Sequence, residues 1–187
     1  MVANILILGW GSLIWRPERL KTVGNWSLDG PTLPIEFSRI SNNRRLTLVI
    51  DETNGVPVVT RSIRSACATL DDAIGNLRAR EGAPSIKGSG YADIRDGRLS
   101  ATALARHNSA AHDIARWGKA IGADAVVWTA IGPRWPLKGS FTVEAASQYL
   151  LDLKEPDRAP AHEYVFNAPR EIDSPVRKRL YELLQQQ

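Results

Sequence analysis

The chain has 187 residues, of which 43% are hydrophobic and 24% charged, and its formal net charge is +4. This length and composition predict one soluble globular domain over residues 1–187, large enough to bury a core. A single cysteine, Cys67, excludes an internal disulfide framework and fits a reducing compartment. Because no apolar run approaches the roughly 20 residues that span a bilayer and the N-terminus lacks signal-peptide features, we expect a cytoplasmic protein without a membrane partner.

The excess of basic residues raises the question of nucleic-acid binding. The densest basic runs, at 42–45 and 176–179, are not interleaved with aromatic residues as they would be in a stacking platform. A solvated basic surface therefore explains the charge better than nucleic-acid binding does.

The first third of the chain is predicted to be mainly β. Residues 2–8 form an apolar run of strand length, and residues 16–32 indicate a long, partly ordered connection. Residues 33–64 contain stretches rich in Val, Ile and Thr, which predict an antiparallel meander. Asn54 and Gly55 are typical of a tight hairpin turn within it.

The rest of the chain alternates helices and strands. Helices are predicted at 69–82, 108–122, 142–155 and 173–187. Strands are predicted at 90–105, around an Asp96-Gly97 turn, and at 124–132, whereas 163–169 fits either a strand or a short helix. These elements predict an α+β domain with helices outside a mixed or antiparallel β-sheet, which is either open or closed into a barrel.

Three of the predicted helices carry specific end signals. Thr69, with Asp72 three residues later, is close to a capping box, and Gly82 suits the residue that follows a helix end. Asn108 or Ser109 is expected to cap the helix at 108–122. In the last helix, Ser174 is expected at the N-cap and Pro175 at the first helical position.

Several familiar sites do not fit the sequence. Gly9-Trp10-Gly11 begins like a dinucleotide-binding loop, but Ile14 stands where the third glycine belongs and a β-meander follows. Ser12 lacks the flanking glycines of a nucleophile elbow. The histidines show neither metal-ligand nor triad signatures and are expected to be surface or capping residues: His107, His112 and His162.

Glu81 is a candidate for acid/base chemistry. It lies four residues after Leu77 and seven after Ile74, so it continues the apolar stripe of its helix. The dipole at a helix C-terminus and partial burial both favour a protonated carboxylate, which suits a general acid/base. The alternative is that the helix frays and Glu81 turns to solvent, paired with Arg78 or with an arginine elsewhere.

The stretch GWGSLIW after the first strand and LRAREG at the end of a mid-chain helix together resemble the γ-glutamylcyclotransferase superfamily, including its bacterial ChaC-like branch. That superfamily has a Y-G-S-x-L or Y-G-S-L loop after its first strand and a single glutamate at the end of a later helix. Here the loop is Trp10-Gly11-Ser12-Leu13 and the glutamate is Glu81. The likeness spans most of the chain, and its functional part is this pair of motifs.

The resemblance implies a γ-glutamylcyclotransferase-like fold that converts a γ-glutamyl amide (glutathione, a γ-glutamyl amino acid or a γ-glutamyl-amine) to 5-oxoproline and a free amine. Glu81 is implied as the acid/base, and the reaction needs no metal or organic cofactor. Tyr91 is a further pocket candidate, although a strand aromatic packed in the core explains it equally well. The implied substrate-binding residues are Gly9, Trp10, Gly11, Ser12, Leu13 and Tyr91.

One departure from the family pattern leaves other functions open. Trp10 replaces the family's tyrosine, keeping a ring and an N–H donor but losing the hydroxyl. A non-catalytic small-molecule-binding protein on the same fold is therefore one alternative, and a basic nucleic-acid-associated protein is another. The departing amine and the oligomeric state also stay open.

Overall fold

The computed structural model describes residues 3–82 and 88–186. The chain forms two compact units, one made of Met1–Leu33 with Val59–Ile131 and the other of Pro34–Val58 with Gly132–Gln187. Both contain helices and strands, which confirms the α+β class. One domain over residues 1–187 stays a prediction.

The described elements follow one another in a mixed order along the chain. The strands are β1 (Ile5–Gly9), β2 (Thr22–Ser27), β3 (Thr32–Ile40), β4 (Leu46–Ile50), β5 (Val56–Val59), β6 (Arg61–Ser65), β7 (Ser89–Asp93), β8 (Arg98–Leu99) and β9 (Ala125–Thr129). The helices are α1 (Leu70–Arg80), α2 (Ala101–Arg106), α3 (Asn108–Ala120), α4 (Val143–Asp152), α5 (Arg158–Phe166) and α6 (Pro175–Gln185).

The first unit is built on a six-stranded mixed sheet with the order β2-β6-β1-β9-β7-β8. β1 runs parallel to β9 and antiparallel to β6, and β7 is antiparallel to both β9 and β8. As far as the chain is described, β2 and β8 form the two edges, so this sheet is open and the barrel alternative is wrong.

A row of apolar side chains crosses the middle of this sheet. Ile7 lies opposite Ile63 on one side and Val127 on the other, and Tyr91 lies opposite Val127. Opposed residues share a face of a sheet, and the same core cluster includes Leu77 of α1. Burying each aliphatic side chain contributes about 1.5–3 kcal/mol, so this contact fixes α1 on the sheet.

The ends of α1 are those that the sequence predicted. The backbone N–H of Asp72 donates to the Thr69 hydroxyl at 3.1 Å, and that hydroxyl donates to the Asp72 carboxylate at 2.7 Å. Gly82 has a φ of +62°, a conformation that a glycine adopts without steric cost, and it stops the helix. These two signals place Glu81 at the C-cap of α1.

The second unit combines a three-stranded sheet, in the order β4-β3-β5, with α4, α5 and α6. Ser174 and Pro175 begin α6 as predicted. The Ser174 hydroxyl also donates to the carboxylate of Glu36, a residue of β3 whose side chain is fully buried. The ambiguous segment 163–169 is helical over its first four residues, as part of α5.

The predicted meander over 33–64 is corrected in two respects. β6 belongs to the six-stranded sheet, and β4 and β5 lie on either side of β3, so Asn54-Gly55 does not form a hairpin turn. The Asp51 carboxylate instead accepts hydrogen bonds from the N–H groups of Thr53 and Asn54 and shapes a longer loop. Gly55 allows the backbone to pack closely at this point, because a Cβ there would lie 2.5 Å from the Asp51 carbonyl oxygen.

Three further sequence predictions are wrong. The connection at 16–32 contains β2, and the predicted strand at 90–105 turns into α2 after Ser100, whose hydroxyl accepts from the N–H of Ala103 at 3.2 Å. His107, not Asn108 or Ser109, occupies the N-cap of α3 and makes no side-chain cap. Of the two places expected for His107, surface or cap, the structure has the cap position: the side chain is buried, with 1% exposure, and accepts a hydrogen bond from Trp128 Nε1 at 3.1 Å.

Candidate active site

The loop after β1 is a compact turn. The N–H of Ile14 donates to the Gly11 carbonyl at 3.0 Å, and the N–H of Arg16 donates to the Ser12 carbonyl at 2.8 Å. Within the described residues, the N–H groups of Gly11, Ser12 and Leu13 donate no hydrogen bond. The turn therefore contains three successive backbone N–H groups that have no acceptor among the described residues, and groups of this kind can hold a carboxylate or an oxyanion.

Two side chains of α1 hold the segment that follows this turn. Asn76 accepts from the N–H of Lys21 at 2.7 Å and donates to the Arg19 carbonyl at 2.9 Å. Arg80, one helical turn later, donates to the Arg16 carbonyl at 2.6 Å. Because residues four apart lie on the same side of a helix, one face of α1 fixes the loop.

Arg80 also connects the two predicted motifs. Its Nη2 atom donates to the Ser12 hydroxyl at 3.1 Å, and its Nη1 atom donates to Glu81 Oε1 at 2.7 Å. The Arg80 side chain is 8% exposed and the Glu81 side chain 20% exposed. One guanidinium group thus lies between the loop serine and the helix-end glutamate. Glu81 is paired with its immediate neighbour, not with Arg78.

This bridge determines what the two partners can do. A guanidinium group has donors only, so the Ser12 oxygen accepts and its O–H is left to donate elsewhere. Among the described residues, Glu81 Oε2 has no hydrogen-bond partner. The arrangement therefore offers one hydroxyl donor and one carboxylate acceptor, arranged around a single buried cation.

Other predicted site residues pack in the interior. Trp10 and Leu13 are each 5% exposed, and Tyr91 is half-buried against the core of the first unit. No hydrogen bond within the described part of the chain links Tyr91 to Ser12 or Glu81. The described contacts thus bring together Ser12 and Glu81 and leave Tyr91 with a packing role.

Gly9 has a packing role as well. A Cβ at this position would lie 2.8 Å from Cη2 of Trp26, a residue of β2 whose ring crosses the end of β1. We expect Gly9→Ala to lower the free energy of unfolding by about 1–3 kcal/mol, because the ring must shift. Urea unfolding followed by tryptophan fluorescence measures the change.

The matched control for this substitution is Gly75→Ala. Gly75 lies within α1, and a Cβ there meets no atom within 4 Å. Alanine is the better helix former, so this variant should gain about 0.5–1 kcal/mol. Equal effects at Gly9 and Gly75 would contradict the packing role of Gly9.

Sequence reasoning missed Arg80, Asn76 and Trp26. Arg80 stands directly before Glu81 in LRAREG, and Asn76 precedes Arg80 by four residues, so both lie where a helical side chain reaches a neighbouring loop. The alternative pairing of Glu81 with an arginine was the signal that could have identified Arg80. Trp26 gave no signal, since nothing in the sequence places β2 in the same sheet as β1, with β6 between them.

Of the helices in residues 3–82 and 88–186, none is long and apolar enough to cross a membrane. The same residues contain no group of three His, Cys, Asp or Glu side chains arranged to hold a metal. The second unit has an open cavity of about 360 Å³, and no predicted site residue lines it.

The resemblance to the γ-glutamylcyclotransferase superfamily rests on the two sequence motifs alone. No family model, no curated protein and no solved structure matches the chain.

Proposed function

We propose that the chain is a cyclotransferase with a γ-glutamylcyclotransferase-like fold, which converts a γ-glutamyl amide to 5-oxoproline and a free amine. Glu81 is its acid/base, and the loop over 9–13 binds the γ-glutamyl group. The proposal belongs to the first compact unit, which contains both motifs.

One observation carries the proposal. Ser12 and Arg80 are 68 positions apart in the chain, yet the Arg80 guanidinium donates to both the Ser12 hydroxyl and the Glu81 carboxylate. A loop that only packed a strand would not need a buried cation joined to a carboxylate at a helix end. The two motifs of the resemblance therefore have a physical connection.

The reaction requires one proton transfer in each direction. Glu81 Oε2 takes a proton from the α-amino group of the substrate, and the amine nitrogen attacks the γ-carbonyl carbon. The bond from that carbon to the departing nitrogen then breaks, and Glu81 returns the proton to this nitrogen. The substrate supplies its own nucleophile, so the protein contributes a cyclisation-ready conformer and donors for the developing oxyanion.

The donors proposed for the oxyanion are the Ser12 hydroxyl and the loop N–H groups. Trp10 takes the place of the family's tyrosine and is almost fully buried, so its ring is proposed to pack beside these donors. Removing a single oxyanion-hole donor typically costs about 10²–10³ in rate, which is the contribution that each proposed donor is expected to make.

The test is a panel of γ-glutamyl compounds: glutathione, γ-glutamyl dipeptides and γ-glutamyl-amines. We expect the protein to release 5-oxoproline and amine in equal amounts from at least one of them, as measured by mass spectrometry. An α-glutamyl dipeptide is the matched control, because its side chain has no amide to expel and should give no product. Absence of 5-oxoproline from the whole panel would contradict the proposed function.

A further inference from the structure

Arg80 is the least exposed charged group of the candidate site, and the proposed reaction does not use it. Its side chain is 8% exposed. Burial of a charge is costly unless hydrogen bonds compensate it. Three acceptors surround this guanidinium: the Ser12 hydroxyl, the Arg16 carbonyl and Glu81 Oε1. The group is thereby held in one orientation by a loop and a helix end.

We propose that Arg80 is a positioning residue that fixes Ser12 as a hydrogen-bond donor and Oε2 of Glu81 as the proton acceptor towards the γ-glutamyl substrate. The inference rests on the proposed function and goes beyond it, because it assigns a task to a residue that the resemblance does not name.

The two oxygens of the Glu81 carboxylate have different surroundings. Arg80 Nη1 occupies Oε1 at 2.7 Å, a charge-assisted hydrogen bond that restricts rotation of the carboxylate. Oε2 is then the oxygen that meets the α-amino group of the substrate. A carboxylate without this bond could present either oxygen and would spend less time in the reactive geometry.

Arg80 orients the Ser12 hydroxyl in the same way. Arg80 Nη2 donates to the Ser12 oxygen at 3.1 Å, and the serine proton must then point away from the guanidinium. A serine hydroxyl held in this way can donate to the γ-carbonyl oxygen, where negative charge develops. A lysine at position 80 would keep the charge but could not serve both partners in one planar fork.

The experiment compares Arg80→Gln, Arg80→Lys, Ser12→Ala and the double variant Ser12→Ala/Arg80→Gln with the wild type, using the best substrate of the panel. We expect Arg80→Gln to lower kcat by about 100-fold, with KM changed by less than about threefold, since the lost orientation matters most in the transition state. Arg80→Lys should lose about tenfold. In the Ser12→Ala background, Arg80→Gln should cost less than about tenfold, because Ser12, one of the two groups that Arg80 positions, is already gone.

The control is Arg116→Gln, which removes a guanidinium that is 76% exposed on α3 and paired with Asp113. It should leave both kinetic constants unchanged. The positioning role would be overturned if Arg80→Gln kept kcat within about threefold of the wild type or if the two single losses multiplied in the double variant. If Arg80→Gln does not fold, as judged by circular dichroism, Arg80→Lys replaces it in both comparisons.

A second readout does not depend on turnover. The wild type, Ser12→Ala, Arg80→Gln and the double variant are unfolded in urea. The effect of the double variant on the unfolding equilibrium constant is expected to differ from the product of the single effects by at least about threefold. A wild type without 5-oxoproline release would refute the proposed function, whereas the unfolding cycle would still decide whether Arg80 holds Ser12. Independent effects in this cycle would refute the positioning role.

Discussion

Glu81→Gln should lower kcat for 5-oxoproline release by about 10²–10⁴-fold, which is the usual contribution of a positioned general acid/base. The substitution keeps the shape of the side chain and an oxygen that accepts from Arg80 Nη1. An amide nitrogen cannot take the proton of the attacking amine, so ring closure loses its base. Steady-state turnover of the best panel substrate, with mass-spectrometric detection of 5-oxoproline, measures the loss.

Asp71→Asn is the matched control for this experiment. Asp71 is an exposed acid in the first turn of the same helix, and its removal changes the charge of α1 without touching the loop. Turnover of Asp71→Asn should equal that of the wild type, and both variants should give the wild-type circular dichroism spectrum. Turnover of folded Glu81→Gln at the wild-type rate would show that another group moves the proton.

The sequence predicted those elements whose signals are local. Thr69 and Gly82 determined α1, and Ser174 with Pro175 determined the start of α6, because caps act within one turn of the helix end. The apolar runs of β1 and β9 were recognisable since both strands lie inside the sheet.

The wrong predictions have identifiable causes. β2 is an edge strand with mostly exposed residues and a positive φ at Gly24, so it lacks the alternation by which strands are recognised. Asn54-Gly55 resembles a hairpin turn in sequence. In the structure, position 55 has room only for a glycine, because backbone atoms of Asp51 and Pro34 lie close to it. α2 had a usable signal that was overlooked: Ser100 as a cap before alanine-rich sequence.

The candidate site shows the same division between local and distant information. The position of Glu81 at a helix end is local and could be predicted. The contact between Arg80 and Ser12 joins residues that are distant in the chain. It depends on α1 packing against the sheet that contains β1, the strand that leads into the Ser12 loop. Pattern reasoning on one sequence supplies no register between such elements, so the bridging arginine was found only from the structure.

In the second unit, Glu36→Ala is expected to lower the free energy of unfolding by about 2–4 kcal/mol, since it leaves buried donors without an acceptor. The Glu36 carboxylate accepts from the Ser174 hydroxyl at 2.5 Å and from the N–H groups of Phe37 and Val176 at 2.6 and 3.4 Å. This carboxylate on β3 therefore accepts hydrogen bonds from polar groups at the start of α6. The midpoint of urea unfolding measures the effect, and an unchanged midpoint would contradict it.

Glu36→Gln is the control, and it separates hydrogen bonding from charge. Burial raises the pKa of Glu36 above its ordinary value of 4.5, against the opposing effect of hydrogen bonds from Ser174, Phe37 and Val176. Ionisation is then less favourable in the folded chain, so the unfolding free energy of the wild type should fall as the pH rises from 4.5 through the raised pKa. Glu36→Gln keeps the oxygen that accepts from Ser174 and should lack this fall.

Asp51 has the opposite effect on the pH dependence of the unfolding free energy, in a separate pH range. Its burial acts to raise the pKa of this carboxyl, but hydrogen bonds from Asn54 and Thr53 outweigh burial and hold the pKa below 3.8. The contribution of Asp51 is therefore present above pH 3.8 and is lost as the pH falls through the lowered pKa. Urea unfolding of the wild type and Glu36→Gln is measured from pH 3 to 8. Both chains should lose unfolding free energy in acid, and only the wild type should also lose it as the pH rises above 4.5. If the unfolding free energies of the wild type and Glu36→Gln changed equally with pH above pH 4.5, Glu36 would not titrate as a buried carboxyl.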